Sequence, residues 1–329
     1  MKIPEYLISS EIVRNIAYVE YARAVVENVP ILPKWENQLR KDAKIKSVLH
    51  GLEVYGANSK FETVKKYIEE LELNVSDEIK NYTDCMNLVE EVSRNRNISE
   101  KDLKNIHYQS SKNIVPTSRC GVYRNFTIQN GSKTDEILAD TISTIEWYNG
   151  KDAAIEHPII NSAILFSQIM KIKPFENTNV FVAATVAYAN LKINKYDLNG
   201  YLNFEEYFAQ DINEYRRNLD FAIKEDDLTL WIEFYSYALA SQASKLKESI
   251  LLLSKDSKVE KVAKGSRLSA RQQRIVEYLQ AYGQLVNKDF SRVFPEISED
   301  TVLRDLKVLI QLNIVEKRGS TKSSRYELK

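Results

Sequence analysis

Residues that break helices are scarce in this chain, and this scarcity constrains its fold more than any other feature. Of its 329 residues, 9 are Gly and 7 are Pro. Apolar residues recur at helical spacing over long stretches, for example at Ile12, Ile16, Val19, Ala22 and Val26. Because Gly and Pro are the residues least favourable inside a helix, the sequence predicts a mainly α-helical protein. The length allows two or three domains.

The pattern along the chain predicts four segments: a helical region (1–98), a helical core (99–252), a linker (253–266) and a smaller domain (267–329). Within the core we expect helices at about 134–149, 158–171, 176–191, 203–223 and 226–252. Residues 121–128 alternate like a strand before the turn Asn130-Gly131, which predicts one short β-hairpin there. The last domain is expected to hold three helices and a two-stranded hairpin.

Several classes of protein are excluded by composition. The cysteines, Cys85 and Cys120, are too few for a disulfide framework or a cysteine-rich zinc site. The three histidines, His50, His107 and His157, have no metal-ligand spacing, so no metal is expected. The first residues lack the pattern of a signal peptide, and no apolar stretch approaches the ~20 residues of a membrane span. We therefore expect a cytoplasmic protein that does not bind membranes.

The charge of the chain is unevenly distributed although it sums to zero. Residues 258–329 hold 15 Lys and Arg against 9 Asp and Glu, whereas the remainder holds 31 against 37. Such asymmetry indicates that one segment binds a polyanion while the rest has another role.

The basic C-terminal segment resembles a winged helix-turn-helix. Residues 298–309 are similar to the recognition helices of bacterial and archaeal repressors with the pattern S-x-x-T-x-x-R-D-L-x-x-L. Thr301 and Arg304 are predicted to read base edges, with Lys307 beside them. Residues expected to hold phosphates from the wing are Lys317, Arg318, Lys322 and Arg325. The alternative is a winged helix that contacts proteins and leaves these charges solvated.

The middle of the chain resembles the Fic (Fido) family. His157-Pro158 and residues 172–184 are similar to the family motif I-H-P-F-x-[DE]-G-N-G-R-x-x-R. Further similarities lie at 121–124, 145–147 and 227–232, and upstream at 21–25 and 79–82. The resemblance spans roughly residues 10–250 and implies a helical Fic core, for which a winged helix is a known companion.

The motif departs from the family at the positions that carry its chemistry. The resemblance implies that the family's general base, a His, corresponds to Lys173 in this chain. An ammonium group near pKa ~10 does not accept a proton at pH 7. The metal-binding acid of the family falls on Asn177, with Glu176 one position early, and Asn179 is retained. Thr178 and Val180 replace the two loop glycines, and Phe181 and Ala184 replace the two arginines. We therefore expect no catalytic residues and no AMP transfer by the usual mechanism.

A second motif of the family is also altered. Many Fic proteins carry an inhibitory helix, [ST]-x-x-x-E-[GN], whose Glu blocks the productive nucleotide pose. In this chain the Ser/Thr position is Gly51 and the Glu position is Tyr55, so that only Gly56 remains. An inactive protein needs no such inhibitor, and the two departures therefore agree.

These observations favour a DNA-binding transcriptional regulator on a catalytically inactive Fic-like scaffold. The scaffold would serve in dimerisation or ligand sensing, and the expected partners are double-stranded DNA and a second copy of the chain. No cofactor is expected. The alternatives are a Fic-type protein nucleotidyltransferase using ATP and Mg²⁺, and a nucleotide-binding sensor without chemistry. A small-molecule or nucleotide effector is left open.

Overall fold

The computed structural model describes residues 5–70, 74–265, 268–319 and 324–329. These residues divide into two compact units. The first unit comprises residues up to Glu27 together with Asn37–Lys247, and the second comprises Asn28–Glu36 together with Glu248–Lys329. Among the described residues, none of the helices combines the length and apolar character that a membrane span requires.

Helices build the first unit, as the scarcity of Gly and Pro predicts. Their bounds are α1 Ser10–Asn28, α2 Pro33–Val54, α3 Phe61–Glu70, α4 Asp77–Arg94, α5 Glu100–Ser110, α6 Ile137–Asn149, α7 Lys151–Ile155, α8 Pro158–Ile172, α9 Asn179–Ile193, α10 Glu205–Gln210, α11 Ile212–Glu225 and α12 Thr229–Gly265. The last of these helices continues through most of the segment predicted as a linker.

The core of the first unit is centred on α8 and α9, which pack against each other and are buried along most of their length. Small residues on α9 allow this close packing, and Ser162 on α8 donates a hydrogen bond to the Ala187 carbonyl at 3.0 Å. The fully buried Trp231 of α12 donates its indole N–H to the Ala163 carbonyl at 2.8 Å. Buried polar groups are thus paired across helices, as their desolvation requires.

The predicted helices of the core are confirmed in type, with one division. The segment expected to be helical over 203–223 forms two helices because Asp211 adopts an extended backbone, with φ −142° and ψ 88°. Its side chain accepts a hydrogen bond from the Glu214 N–H at 2.9 Å and so caps α11. At α5, Ser99 and Asp102 form a reciprocal capping box, as their spacing predicts.

The prediction of a β-hairpin around residues 121–131 is wrong. These residues are all described and form no strand. Their extended backbone instead bonds to the chain that follows α8: the Arg124 N–H donates to the Pro174 carbonyl at 3.0 Å and the Ser132 N–H to the Ile172 carbonyl at 3.1 Å. The alternating side chains therefore belong to an extended segment that bonds to the chain after α8 and not to a neighbouring strand.

The second unit combines helices with a small sheet. After α12 come α13 Ala270–Tyr282, β1 Gln284–Val286, α14 Phe290–Val293, α15 Glu299–Gln311, β2 Val315–Arg318 and β3 Arg325–Leu328. The strands form an antiparallel sheet in the order β1-β3-β2, with Tyr326 opposite both Leu285 and Lys317. The two predicted strands are confirmed, and β1 was not predicted.

One hydrophobic core holds these elements together. Side chains of α13, α14, α15 and the sheet meet in it, among them Ile275, Leu279, Leu285, Phe290, Phe294, Val302, Leu306, Leu309 and Tyr326. The helix α13 ends at Gly283, whose φ of +77° lies in the left-handed region that favours glycine. The reversal there starts β1.

Candidate functional site

The loop of residues 173–178 joins α8 to α9 and contains most of the motif singled out in the sequence. Its two ends, Lys173 and Thr178, have φ of +45° and +51°, in the left-handed region. Asn179 clasps the loop from the start of α9. Its Oδ1 accepts from the Phe175 N–H and its Nδ2 donates to the Phe175 carbonyl, both at 2.9 Å. Asn179 therefore has a structural role in this chain.

Phe175 anchors the same loop in the core, where it is 0% exposed. Its ring stacks on the His107 imidazole with centroids 4.1 Å apart. The His107 Nδ1 accepts a hydrogen bond from the Gly121 N–H at 2.9 Å. Burial lowers the pKa of His107 to about 4 and the Asn177 backbone opposes this shift, so the ring is neutral at pH 7.

The polar side chains of the loop bind to neighbouring protein groups. Lys173 is half-buried and its Nζ donates to the Gln129 carbonyl at 3.3 Å. Burial lowers the pKa of Lys173, Asp220 opposes this shift and Arg124 adds to it. Glu176 accepts two hydrogen bonds from the Arg119 guanidinium, at 2.8 and 2.9 Å. The ammonium and the carboxylate thus go to different partners and form no acid–base pair.

Arg124 connects this loop to the segment laid along it. The side chain is 5% exposed and donates to the carbonyls of Lys173 at 2.8 Å, Phe126 at 2.7 Å and Ile172 at 3.3 Å, and also to that of Ser132. Burial lowers the pKa of Arg124. The guanidinium is therefore committed to the backbone, and it fixes the loop in place.

An aromatic cluster of Tyr55, Tyr82 and Phe181 lies at the first turn of α9. Phe181 is 5% exposed and stacks on Tyr82, with centroids 4.4 Å apart, while Tyr55 meets Phe181 edge-on at 5.1 Å. A Cβ at Gly51 would overlap the Tyr82 ring. The structure therefore brings the segment that resembles an inhibitory helix and the segment that resembles the family motif into contact through aromatic rings. Gly56 follows α2 with φ of +90°.

Glu205 is the group that sequence reasoning missed. It is 0% exposed, and it accepts hydrogen bonds from the Tyr82 hydroxyl at 2.6 Å and from the Tyr188 hydroxyl. Burial raises the pKa of Glu205 to about 7, although both tyrosines lower it. The only sequence signal for this buried carboxyl is its position between the aromatic residues Phe204 and Tyr207-Phe208. That signal does not identify Tyr82 and Tyr188 as its partners.

In the second unit, α15 presents two of the predicted DNA contacts to solvent. Arg304 and Lys307 are exposed, while Thr301 is half-buried and its hydroxyl lies 2.8 Å from that of Ser298. The opposite face of the helix is buried. Asp305, 6% exposed, accepts from Arg271 at 2.9 Å and Gln272 at 3.2 Å, and thereby ties α15 to α13.

The basic residues predicted on the wing are less uniform. Arg318 bonds to Glu316 at 2.7 Å and lies 3.3 Å from Glu327, and Arg325 lies 3.0 Å from Glu327. The register places both arginines and both glutamates on one face of the sheet. Lys317 is exposed and belongs to the alternate face. Lys322 lies outside the described residues.

Comparison with solved structures shows the fold. A Fic family protein from Desulfovibrio desulfuricans G20 superposes with a TM-score of 0.62 at 18% identity, over 99% of this chain and 98% of that chain. The chain has the fold of a Fic protein. A fragment of Fic-1 from C. elegans gives 0.61 at 12% identity, over 73% of each chain. A Fic domain-containing signaling protein from Bacteroides thetaiotaomicron gives 0.54 at 16%, over 75% of this chain and 97% of that one.

At the level of sequence, no protein-family model and no curated protein matches the chain.

Proposed function

We propose that this protein is a DNA-binding transcriptional regulator whose Fic-fold unit does not transfer nucleotides. The observation that carries the proposal is the contrast between Arg304 and Lys307, exposed on α15, and the motif loop, whose polar side chains bond to neighbouring protein groups. A cytoplasmic location and a homodimer belong to the same proposal, because helix-turn-helix proteins usually bind two half-sites as dimers.

The second unit is proposed to be a winged helix-turn-helix with α15 as its recognition helix. Three helices followed by a hairpin fit that fold, and β1 adds a third strand to the hairpin. Arg304 and Lys307 form no hydrogen bond or ion pair with any other described residue, so their donors are available to base edges or phosphates. The tie from Asp305 to α13 would hold the helix in a fixed orientation.

The proposed loss of catalysis follows from the contacts of the motif residues. A general base must hold a free lone pair within reach of its substrate, but Lys173 is a cation whose Nζ donates to a carbonyl. The position of the first phosphate-clamping arginine is Phe181, which is buried against two tyrosines. Because rings supply no charge for a triphosphate, the loop lacks the charged groups with which the family binds one.

The proposal is tested by recovering genomic DNA fragments on the purified protein and measuring their affinity by fluorescence anisotropy. Binding is expected to weaken steeply with salt, because phosphate contacts release counterions. Arg304→Ala should weaken it by about 10-fold or more. Arg217→Ala removes the same charge from an exposed site on α11 and serves as the matched control. Absent or salt-independent binding, or equal affinity of the two variants, overturns the proposal.

A nucleotidyltransferase is the alternative function, and the shared fold favours it. It predicts that labelled ATP with Mg²⁺ or Mn²⁺ transfers its nucleotide to a protein hydroxyl with release of pyrophosphate. Lys173→Ala should then change the labelling. We expect no labelling of the chain itself or of a cell lysate. Labelling that depends on Lys173 would replace the regulator proposal for the first unit.

A further inference from the structure

A cavity lies in the first unit, away from the motif loop. It encloses about 410 Å³ between α2, α4, α9 and the turn Leu198–Gly200. This volume is in the range of small-molecule sites, about 300–1,000 Å³. None of residues 173–178 lines it. Its lining residue Tyr188 stands nine residues beyond Asn179 on α9, which corresponds to about 14 Å along the helix.

The walls of the cavity combine apolar side chains with polar and charged ones, and the polar groups lie at defined positions. Ala43, Met86, Val89 and Leu202 supply the apolar lining. Side chains of this type bury the body of a small organic ligand and repel a bare inorganic ion. A ligand that fills this space therefore needs an apolar body.

The hydroxyls of Ser47 and Tyr188 form one polar point of the cavity. They lie 3.1 Å apart, and both residues line the cavity although both are buried. Tyr188 donates its proton to Glu205 and accepts from the Phe204 N–H at 3.2 Å. The Ser47 hydroxyl therefore donates to Tyr188, and its own lone pairs are left to accept a hydrogen bond from the cavity. This point favours a ligand with a donor.

Lys44 forms the second polar point. It stands three residues before Ser47 on α2, so both side chains lie on the same side of the helix. Its ammonium donates to the Asn87 Oδ1 at 2.6 Å, and it has two further donors. Lys44 forms no ion pair with a described residue, and burial lowers its pKa while Asp84 opposes the shift. An anion placed here would offset the cost of burying this charge.

The acidic side chains of the cavity are already matched by another cation. Lys192 lies 2.9 Å from Glu90 and 3.4 Å from Asp197. These two carboxylates therefore do not neutralise Lys44. Arg40 also lines the cavity, but its guanidinium donates to the Asn199 carbonyl at 3.2 Å. Lys44 therefore supplies the charge for a ligand, and one ammonium matches a singly charged carboxylate better than a doubly charged phosphate.

We propose that this cavity binds a small organic monocarboxylic acid that carries a hydroxyl or N–H donor. The carboxylate pairs with Lys44, the donor bonds to Ser47, and the apolar body packs against Met86, Val89 and Leu202. The proposal concerns the first unit alone and does not depend on DNA binding, so that either proposal can fail without the other.

The test measures binding of a panel of carboxylic acids to the full chain by calorimetry and thermal shift. The panel contains 4-hydroxybenzoate, salicylate, indole-3-acetate and 3-hydroxybutyrate, and the amide of each acid is the uncharged control. At least one acid is expected to bind and to raise Tm. Its amide should bind at least about 10-fold more weakly, since the ion pair with Lys44 is lost. If none of the acids binds, or if acids and amides bind equally, the proposal is overturned.

Substitutions locate the binding. Lys44→Met should reduce the affinity for the acid about 10-fold, whereas Lys41→Met, an exposed lysine on the same helix that does not line the cavity, should leave it unchanged. Val89→Phe fills the cavity from α4 and should abolish binding. This variant tests the location of the ligand even if Lys44→Met fails to fold. Full affinity in both Lys44→Met and Val89→Phe would place the ligand elsewhere and refute the assignment.

Discussion

The motif loop of the first unit and α15 of the second both carry side chains that their sequence patterns associate with phosphate. In the motif loop these side chains bond to other protein groups, whereas on α15 they are exposed. Lys173 donates to a backbone carbonyl, and the Glu176 carboxylate is taken up by Arg119. Arg304 and Lys307 of α15 point into solvent. A charged residue binds a ligand only to the extent that the protein has not already engaged it, and the partners of a side chain decide this more than its type does.

The largest expected effect separates the two regions by charge reversal. Arg304→Glu should weaken DNA binding by about 100-fold or more, because a cation at the interface becomes an anion. Lys173→Glu makes the same change in net charge at the motif loop and should stay within about twofold of the wild-type affinity. Anisotropy titrations at one salt concentration measure both. Comparable losses in the two variants would contradict the distinction between the regions.

The next effect concerns Glu205, the buried carboxyl next to the aromatic cluster. Its pKa of about 7 in the folded protein exceeds that of an unfolded Glu, near ~4.5, so the folded state holds the extra proton between these values. The contribution of Glu205 to stability is therefore fully present below pH ~4.5 and is lost as the pH rises through 7. The loss should be on the order of 3 kcal/mol.

Denaturant unfolding at several pH values isolates this contribution when the wild type is compared with Glu205→Gln. The neutral variant should gain stability relative to the wild type as the pH rises from 4.5 to 7.5. His107, whose pKa is lowered to about 4, acts in the opposite direction in both proteins and cancels in the difference. Burial raises the pKa of the neighbouring Glu206, but Lys46 and Lys245 outweigh it and lower that pKa. Glu206→Gln should therefore lose stability relative to the wild type as the pH rises to about 4.5, and should show no slope between pH 4.5 and 7.5.

A third prediction tests whether the motif asparagine serves structure. Asn179→Ala removes both hydrogen bonds to Phe175 and leaves backbone groups unpaired, which should destabilise the protein by about 2–3 kcal/mol. Asn177→Ala removes one bond, to the Thr178 N–H at 2.7 Å, from an exposed side chain and should cost about 1 kcal/mol or less. Chemical denaturation gives both values, and equal costs would show that the clasp is not structural.

The smallest expected effect lies on the sheet of the second unit. Glu327→Gln removes the carboxylate near Arg318 and Arg325, which frees the Arg325 guanidinium for phosphates and leaves Arg318 with Glu316. DNA affinity should rise by about twofold to fivefold, with a steeper salt dependence, since exposed ion pairs are weak. Glu225→Gln, at the end of α11, changes the net charge equally and is the control. An unchanged affinity in Glu327→Gln would argue that the wing does not reach the phosphates.

Helices were predictable from this sequence because periodicity and capping are local. The alternation of residues 121–128 misled because a strand and an extended segment have the same side-chain period, and only the position of the hydrogen-bond partner distinguishes them. Those partners, such as the Pro174 carbonyl, lie about fifty residues away in the chain. The three-residue strand β1 is too short to show any period.

Motif similarity selects the loop of residues 173–178, but the contacts of its side chains could not be predicted. Motif similarity locates Lys173, Glu176 and Phe181, yet it does not show that Glu176 meets Arg119 or that Phe181 stacks on Tyr82. Glu205 could not be found because its burial depends on Tyr82 and Tyr188, which come from separate helices. Sequence similarity thus suggests a chemistry for a position, whereas packing determines the partners of its side chain.

Gly51 also restricts the substitutions that α2 can accept. The Tyr82 ring occupies the space that any side chain at position 51 would need. A Ser or Thr at position 51 would therefore require a smaller residue at position 82, and losing the Tyr82 hydroxyl deprives the buried Glu205 of a hydrogen bond. Positions 51 and 82 are therefore coupled: a side chain at position 51 needs a second substitution at position 82, and that substitution removes a buried hydrogen bond.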